Sequence, residues 1–593
     1  MRKGSFFKLN GIPGRIRTWI LKNKVSGRIM FITLGIASTV WFLLRVLPKP
    51  SRASYPCVRA TAPVMSGFVI YLLSLGGLSV ALKKSVTSLA KSKYIAAGSM
   101  FGLAILFSII SLINDFSFSA AQEAFTFKGP ADRPNQPFGK PSGIKPGLVV
   151  WSWNPDATNE NCRNVIENSD WFFNPVNANQ EIIGKMVSEG VMKIAGKNDL
   201  KGSWDGIFRF HNQKKHKTEK GYTPGEKIFI KINQGTASWV LPKEQRDAGY
   251  FFPTSLKPGQ DRYAKSLGTT ETSPFIVLEI LRELVYNAGV NQKDIIVGDP
   301  IAHIFGHNYV IWHGEFPDVI YIDRTSDKFG RTLIKPTEKE LLFYSDKKFK
   351  DKLYDVIETA DYLINVASLK PHGSAGISLT AKNHFGSHAR TSASHLHYSL
   401  IAPSWENNVR EAGNPSNGGY KKFRVLVDIM GSRYLGQNTM LYIVDGLFGG
   451  GADETKSPVK YFLPPFNNDW SSSIFMSQDQ VALESVCYDF LRSEWDGTHK
   501  HSAANNVMED GPNMPGVDDY LHQAADAANW PEGIIYDPDN TGKPIPSLGV
   551  HEHWNNPDDK QYSGNLGKAG GLLLVSVPDS LVRSELYMPQ KSN

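Results

Sequence analysis

Five of the fifteen histidines fall within one stretch of 26 residues: His372, His384, His388, His395 and His397. The stretch opens on Leu369-Lys370-Pro371-His372, crosses a loop of small residues (Gly373, Ser374, Ala375, Gly376, Ser378) and reaches Lys382-Asn383 before the later histidines. Clustered neutral imidazoles suit a borderline divalent transition metal. The small-residue loop lets backbone approach a ligand closely. Lys370 and Lys382 could hold an anionic substrate or, once desolvated, act as bases; His372 is the candidate general acid/base. A polar loop with surface histidines and two solvated lysines would look the same in sequence. No His-Glu-x-x-His signature decides between them. A second small cluster, His551-Glu552-His553, reads as an exposed polar turn.

Residues of this kind need elements to position them. Short apolar runs at Leu148–Trp153, Lys227–Ile232, Asp294–Val297, Val319–Ile322, Tyr362–Val366, Arg424–Ile429 and Met440–Val444 read as buried strands. Phe275–Gly289 carries apolar residues at helical spacing and runs straight into Ile295-Ile296-Val297. That rhythm predicts an α/β domain with a mostly parallel or mixed sheet and crossover helices. Several strands end in an acid: Asp299, Asp323, Asp428 and Asp445. Ligands of open α/β sheets sit outside the carboxyl ends of the strands, so Asp299, Asp428, Asp445 and Asn383 are candidate substrate- or cofactor-binding residues. Aspartate at such ends also caps helices and turns.

Ahead of this domain lie three nearly uncharged stretches, Ile29–Leu47, Val64–Leu82 and Tyr94–Ile113. Each is long enough for a helix crossing a hydrocarbon core of about 30 Å, so three transmembrane helices are expected. The predicted organisation is a basic cytoplasmic tail (1–28), the anchor (29–113), a Pro/Gly-rich linker (114–146), the α/β domain (147–500) and a C-terminal extension packing on it (501–593). Residues 1–28 carry eight Lys or Arg and no acid, which places the tail inside and the domain outside, on the periplasmic side of a bacterial inner membrane. The tail accounts for the whole formal charge of +8, since the remainder has as many basic as acidic residues. Anionic lipid headgroups are its expected partner. With no basic excess in the domain, nucleic acid is not expected; Lys214-Lys215-His216-Lys217 reads as a solvated loop tip.

The three cysteines, Cys57, Cys162 and Cys487, make no Cys-x-x-Cys pair, which removes ferredoxin-type iron–sulfur sites. Cys57 and Cys162 could pair outside the membrane or both stay thiols. The Leu369–His372 and Leu379–Gly386 segments carry a family resemblance. They combine with Trp153-Asn154-Pro155-Asp156-Ala157-Thr158, Val427-Asp428, Asp445-Gly446 and Ser477-Gln478-Asp479-Gln480-Val481-Ala482. Together these resemble the bacterial domain of unknown function 362 family across most of residues 147–500. The Tyr55-Pro56-Cys57 anchor and the Ser547–Trp554 tail resemble its membrane-anchored branch. More distantly, Pro371-His372, Ala375-Gly376 and Lys382 are similar in order to the nickel-pincer lactate racemase family. That likeness implies His372 as acid/base, Lys382 as cofactor anchor and His395 or His397 as nickel ligand. It departs at Leu379-Thr380, where that family has a Gly-Gly pair. Two functions follow as expectations: a metal- or cofactor-dependent enzyme on a small anionic substrate, or a non-catalytic envelope protein that binds a protein partner.

Overall fold

The computed structural model describes residues 132–582 apart from 217, 235–240, 242, 254–267, 401–419, 452–455 and 496–516, together with 36, 39, 40, 69, 79–91, 93–96 and 99–104. The chain divides into two units, 1–126 and 127–593. In the first, residues 79–90, 94–96 and 99–104 are helical. No helix among the described residues is long and apolar enough to cross a membrane. The three expected spans lie for the most part outside the described residues, as do the basic tail and Cys57. Cys162 and Cys487 are buried free thiols.

The second unit is built on one nine-stranded sheet. In chain order its strands are β1 (Leu148–Trp153), β2 (Ile228–Lys231), β3 (Ile295–Gly298), β4 (Ile320–Asp323), β5 (Thr332–Leu333), β6 (Tyr362–Ser368), β7 (Thr439–Gly446), β8 (Ser473–Ser477) and β9 (Leu573–Val577). The spatial order is β9-β1-β8-β7-β6-β2-β3-β4-β5. Every neighbouring pair is parallel except the two that β8 makes, with β7 and with β1. The α/β expectation of a mixed, mostly parallel sheet therefore holds.

The apolar runs are continuous because both faces of the sheet are covered. Leu148, Val150, Ile228, Ile230, Ile295 and Val297 point to one face; Val149, Trp151, Phe229 and Ile296 alternate to the other. The earlier helices, α1 (Gln180–Ala195), α2 (Leu200–His216), α3 (Pro274–Arg282) and α4 (Gly306–Glu315), pack on the first face. The later ones, α5 (Thr380–Asn383), α6 (Val425–Gly431), α7 (Gln480–Glu494) and α8 (Val517–Ala525), pack on the second. Sequence chemistry sets their ends. Asn179 caps α1 by accepting from Ile182 N, and Gly196 stops it in the left-handed region.

Two corrections follow. Arg424–Ile429 is the helix α6, not a strand: a short apolar run cannot declare its own period, and here all seven residues of α6 are buried. Lys214–His216 close the last turn of α2 rather than tipping a loop. The C-terminal segment adds β9 beside β1, and Val550–His551 pairs with Phe138–Gly139 ahead of the sheet.

Candidate functional site at the strand ends

The Ile228-Phe229-Ile230 run carries one charged residue into the interior, Lys231. Its side chain is wholly buried at the carboxyl end of β2, 3.0 Å from Asp299, which follows β3. The ammonium also donates to the Ile232 carbonyl (2.6 Å) and to Asn383 Oδ1 (3.0 Å), while Asp299 accepts from Gln234 N at 2.9 Å. Burial pulls the lysine down and Asp299 opposes it. Gly386 explains the end of the Leu-x-x-Lys-Asn-x-x-Gly pattern: a Cβ there would lie 2.4 Å from Asp299 Oδ1. Only a residue without a side chain lets the segment after α5 close over this ion pair.

From the pair the network continues without a break. Asn233 Nδ2 donates to Asn383 Oδ1 (3.2 Å), and Asn233 Oδ1 accepts from Lys370 Nζ at 2.9 Å. Lys370, just past the end of β6, donates also to the Thr270 carbonyl at 2.5 Å. Asn383 Nδ2 reaches Asn365 Oδ1, and Asn365 in turn donates to the Thr380 carbonyl and to His384 Nε2, each at 2.9 Å. His384 is therefore a neutral core imidazole, driven well below its usual range by burial and then by Lys231.

The short helix α5 that delivers Lys382 and Asn383 is held at its start by a distant acid. Glu484 Oε1 accepts from Thr380 Oγ1 (2.7 Å) and Ala381 N (2.5 Å), and Tyr520 donates to its other oxygen at 2.6 Å. Replacing Glu484 with alanine leaves buried donors unmatched at about 1–3 kcal/mol each. The Glu484→Ala chain is expected to lose at least about 2 kcal/mol in chemical denaturation; an unchanged midpoint would remove Glu484 from this role.

His372 sits in a two-strand turn, Pro371–His372 against Gly376–Ile377. Its Nδ1 accepts backbone N–H groups from Ser374 (3.0 Å) and Ala375 (3.2 Å), so in the neutral ring Nε2 carries the proton. Burial, then Lys382, His397 and Lys370, hold the ring well below the ordinary histidine range. In this geometry the ring is a neutral imidazole whose Nε2 faces away from the turn as a donor. Lys382 Nζ lies 3.8 Å above the Phe385 ring, and the His372 and His397 rings are 6.4 Å apart.

The remaining candidates divide. His395 turns away: its Nε2 is 2.7 Å from Asp351, which Tyr344 and Arg390 also engage. The set His372, His395 and His397 is thus not gathered, and among the described residues it forms no group that could share an ion. Asp428 lies within α6, accepting from Ser345 N at 2.9 Å, and takes no part in the strand-end network. Its carboxyl is raised well above the usual range by burial, partly offset by those Ser345 bonds. Asp445 ends β7 but accepts from Ser273 N (2.7 Å) and Leu447 N (3.0 Å), tying the entry of α3 to the sheet.

Burial raises the Asp445 carboxyl to about 6 despite these bonds. With a folded value above the unfolded one, its contribution is most favourable in acid and is lost as pH rises from about 4 through 6. The stability of the wild type relative to Asp445→Asn is therefore expected to fall by about 3 kcal/mol across that window and to level off above it. Paired denaturation curves at pH 4, 5, 6 and 7 check this.

Beside the lysine network, Gln234, Thr269, Glu271 and Thr272 face His307 and Asn308 of α4 across a small cavity walled by Phe172, Phe173, Phe252 and Phe305. Its central room, about 10 Å³, is that of a single water. Among the described residues neither ring nitrogen of His307 nor Asn308 Oδ1 has a hydrogen-bond partner, and burial drives His307 down to about 3. Lys231, Asn233, Asn365, Glu484, His307 and Asn308 were not singled out from the sequence. Only Lys231 carried a signal there, as a lone charge inside a buried-strand pattern.

A mixed α/β sheet with a polar network across the ends of β2, β3 and β6 defines the class of domain. Residues 268–489 match the family model DUF362, a domain of unknown function, and that segment is a DUF362 domain. The match covers less than half of the chain; it includes Asp299, Lys370, His372, Lys382, Asn383, Asp445 and Glu484, and leaves out Lys231 and Asn233. No curated protein and no solved structure matches the chain.

Proposed function

We propose that the DUF362 domain is an enzyme acting on a small anionic substrate bound at the carboxyl ends of β2, β3 and β6. The observation that carries this reading is the sign of the field around His372: besides burial, the groups that lower it are the basic side chains Lys382, His397 and Lys370. A substrate oxyanion beside Lys370 would meet charge-assisted donors in a site where water is scarce, and His372 Nε2–H would supply a neutral donor to the same oxygen. Asn233 and Asn383 would orient the lysines, and the buried Lys231–Asp299 pair would keep the floor rigid. The nickel-pincer arrangement that the lactate racemase likeness implies lacks a matching ligand set here. Among the described residues His372, His395 and His397 form no group that could hold one ion, so no step is routed through such a cofactor.

In this reading the N-terminal spans anchor the domain at a bacterial inner membrane with its site on the periplasmic side. Exposed apolar side chains support the anchor: Val80, Val86, Leu89, Tyr94, Ile95 and Phe101 are all exposed on short helical segments of the first unit. The test is calorimetric titration of the full chain in detergent with lactate and, separately, inorganic phosphate. Saturable binding of either that competes with the other supports an oxyanion site. Absence of heat with both, in protein that unfolds cooperatively, overturns it.

A further inference from the structure

The turn that read as exposed, His551-Glu552-His553, is buried: the three residues are 0, 1 and 2 % exposed. His551 Nε2, His553 Nε2, Asp132 Oδ2 and Asp518 Oδ1 converge so that all four atoms lie within 4.8 Å of one another. His551 Nε2 is 3.6 Å from each carboxylate oxygen; His553 Nε2 is 3.1 Å from Asp518 and 3.9 Å from Asp132. Ligands about 2.0–2.2 Å from a tetrahedral ion stand roughly 3.3–3.6 Å apart. The four imidazole–carboxylate separations, 3.1 to 3.9 Å, bracket that spacing. Distances of 3.6 Å are too long for hydrogen bonds.

The tautomers make the same point independently. Ser485 Oγ gives its proton to the Val481 carbonyl at 2.7 Å, so at 2.8 Å from His551 Nδ1 it can only accept. His551 Nδ1 therefore carries the proton, and its Nε2, fully buried and without a hydrogen-bond partner among the described residues, turns a bare lone pair towards two carboxylates. His553 is fixed the same way, with Nδ1 2.7 Å from Asp489, a carboxylate that also accepts from Trp554 N and Tyr562. His553 Nε2 points inward as well, 3.1 Å from Asp518 Oδ1, a donor to that carboxylate until an ion takes the place of its proton. Imidazoles oriented by an outer carboxylate or hydroxyl are how proteins prepare a metal site. Lone pairs facing carboxylates repel unless a cation lies between them.

Charge sets the valence. Asp132, Asp518 and Asp489 bring three negative charges, and Arg492, on Asp489 at 2.9 Å, brings one positive. His522 adds an imidazole 2.5 Å from Asp132 and holds Tyr420 on its other side. Two charges remain to be met in the interior.

We propose that Asp132, Asp518, His551 and His553 form a closed site for one divalent transition ion of the zinc class. Two imidazoles and two carboxylates suit a borderline ion, and the burial of all four side chains marks the site as structural rather than catalytic. The ion clamps three segments far apart in sequence: the stretch entering the domain at Asp132, the start of α8, and the Val550–His551 strand with the residues just after it. All four ligands lie outside the matched family segment. The inference is independent of the strand-end reading.

The experiment uses the full chain purified in detergent with a tag free of histidine. Elemental analysis is expected to find about one zinc-class ion per chain, and chelation is expected to lower the thermal midpoint, with added Zn²⁺ restoring it. Asp489→Asn should weaken Zn²⁺ binding about 10–100-fold by freeing the His553 ring, and His551→Gln should abolish it, while His395→Gln keeps the ion. If His551→Gln fails to fold, stripping and reloading the wild type decides. A wild type that holds no ion and shows no shift with Zn²⁺ or Mn²⁺ overturns the proposal, leaving an imidazolium between Asp489 and Asp518 as the neutralising charge.

Discussion

Replacing Asp299 with alanine is expected to destabilise the domain by about 3–5 kcal/mol, the cost of stranding one member of a buried ion pair. Lys231 and Asp299 are 0 and 2 % exposed, so no solvent can take over the charge. The loss spreads, because Gln234 N and Ile301 N also donate to this carboxylate. Lys231→Met alone strands Asp299 in the same way. The double variant Lys231→Met/Asp299→Leu removes both charges and should recover most of the loss, since a buried pair contributes little beyond its hydrophobic replacement. Urea denaturation of the four chains forms the cycle. If Asp299→Ala costs under about 1 kcal/mol, the pair is solvated and the site floor is not as described.

The second large effect is on ligand affinity. Lys370→Met keeps the apolar stem packed against Gly450, where a Cβ would come within 2.2 Å of Lys370 Cβ. It removes the ammonium that meets Asn233 and Thr270. A charge-assisted hydrogen bond is worth about 1.5–3 kcal/mol, so the affinity for whichever of lactate and phosphate binds should drop roughly 10–150-fold. Asp445→Asn, which alters a carboxylate tied to backbone rather than to the lysines, should bind as the wild type does. Equal binding by wild type and Lys370→Met would place the anion elsewhere.

Much of the frame was legible because a parallel sheet covered on both faces writes itself as apolar runs. Leu148–Trp153 and Tyr362–Val366 needed no further information, and Asp299 and Lys370 were found from their places after such runs. Arg424–Ile429 was not legible as a helix. Seven buried residues show no period, and what fixes the segment is tertiary: Arg424 Nε on Asp519 at 2.6 Å and its Nη1 on the Ser399 and Leu400 carbonyls. Asp428 was misplaced with it. Glu484 could not have been found, because its partners Thr380 and Ala381 lie about a hundred residues away. The His551–His553 turn looked exposed for the same reason, since Asp132, Ser485, Asp489 and Asp518 that enclose it come from three other segments.

The proposed function requires an anion bound at the ends of β2, β3 and β6, against Lys370 and His372. Crystals of the full chain soaked in an anomalously scattering oxyanion such as selenate would show it directly. An anomalous peak is expected within hydrogen-bond reach of Lys370 Nζ and His372 Nε2, absent from Lys370→Met crystals. Peaks confined to surface lysines, with the strand ends empty in both, would contradict it.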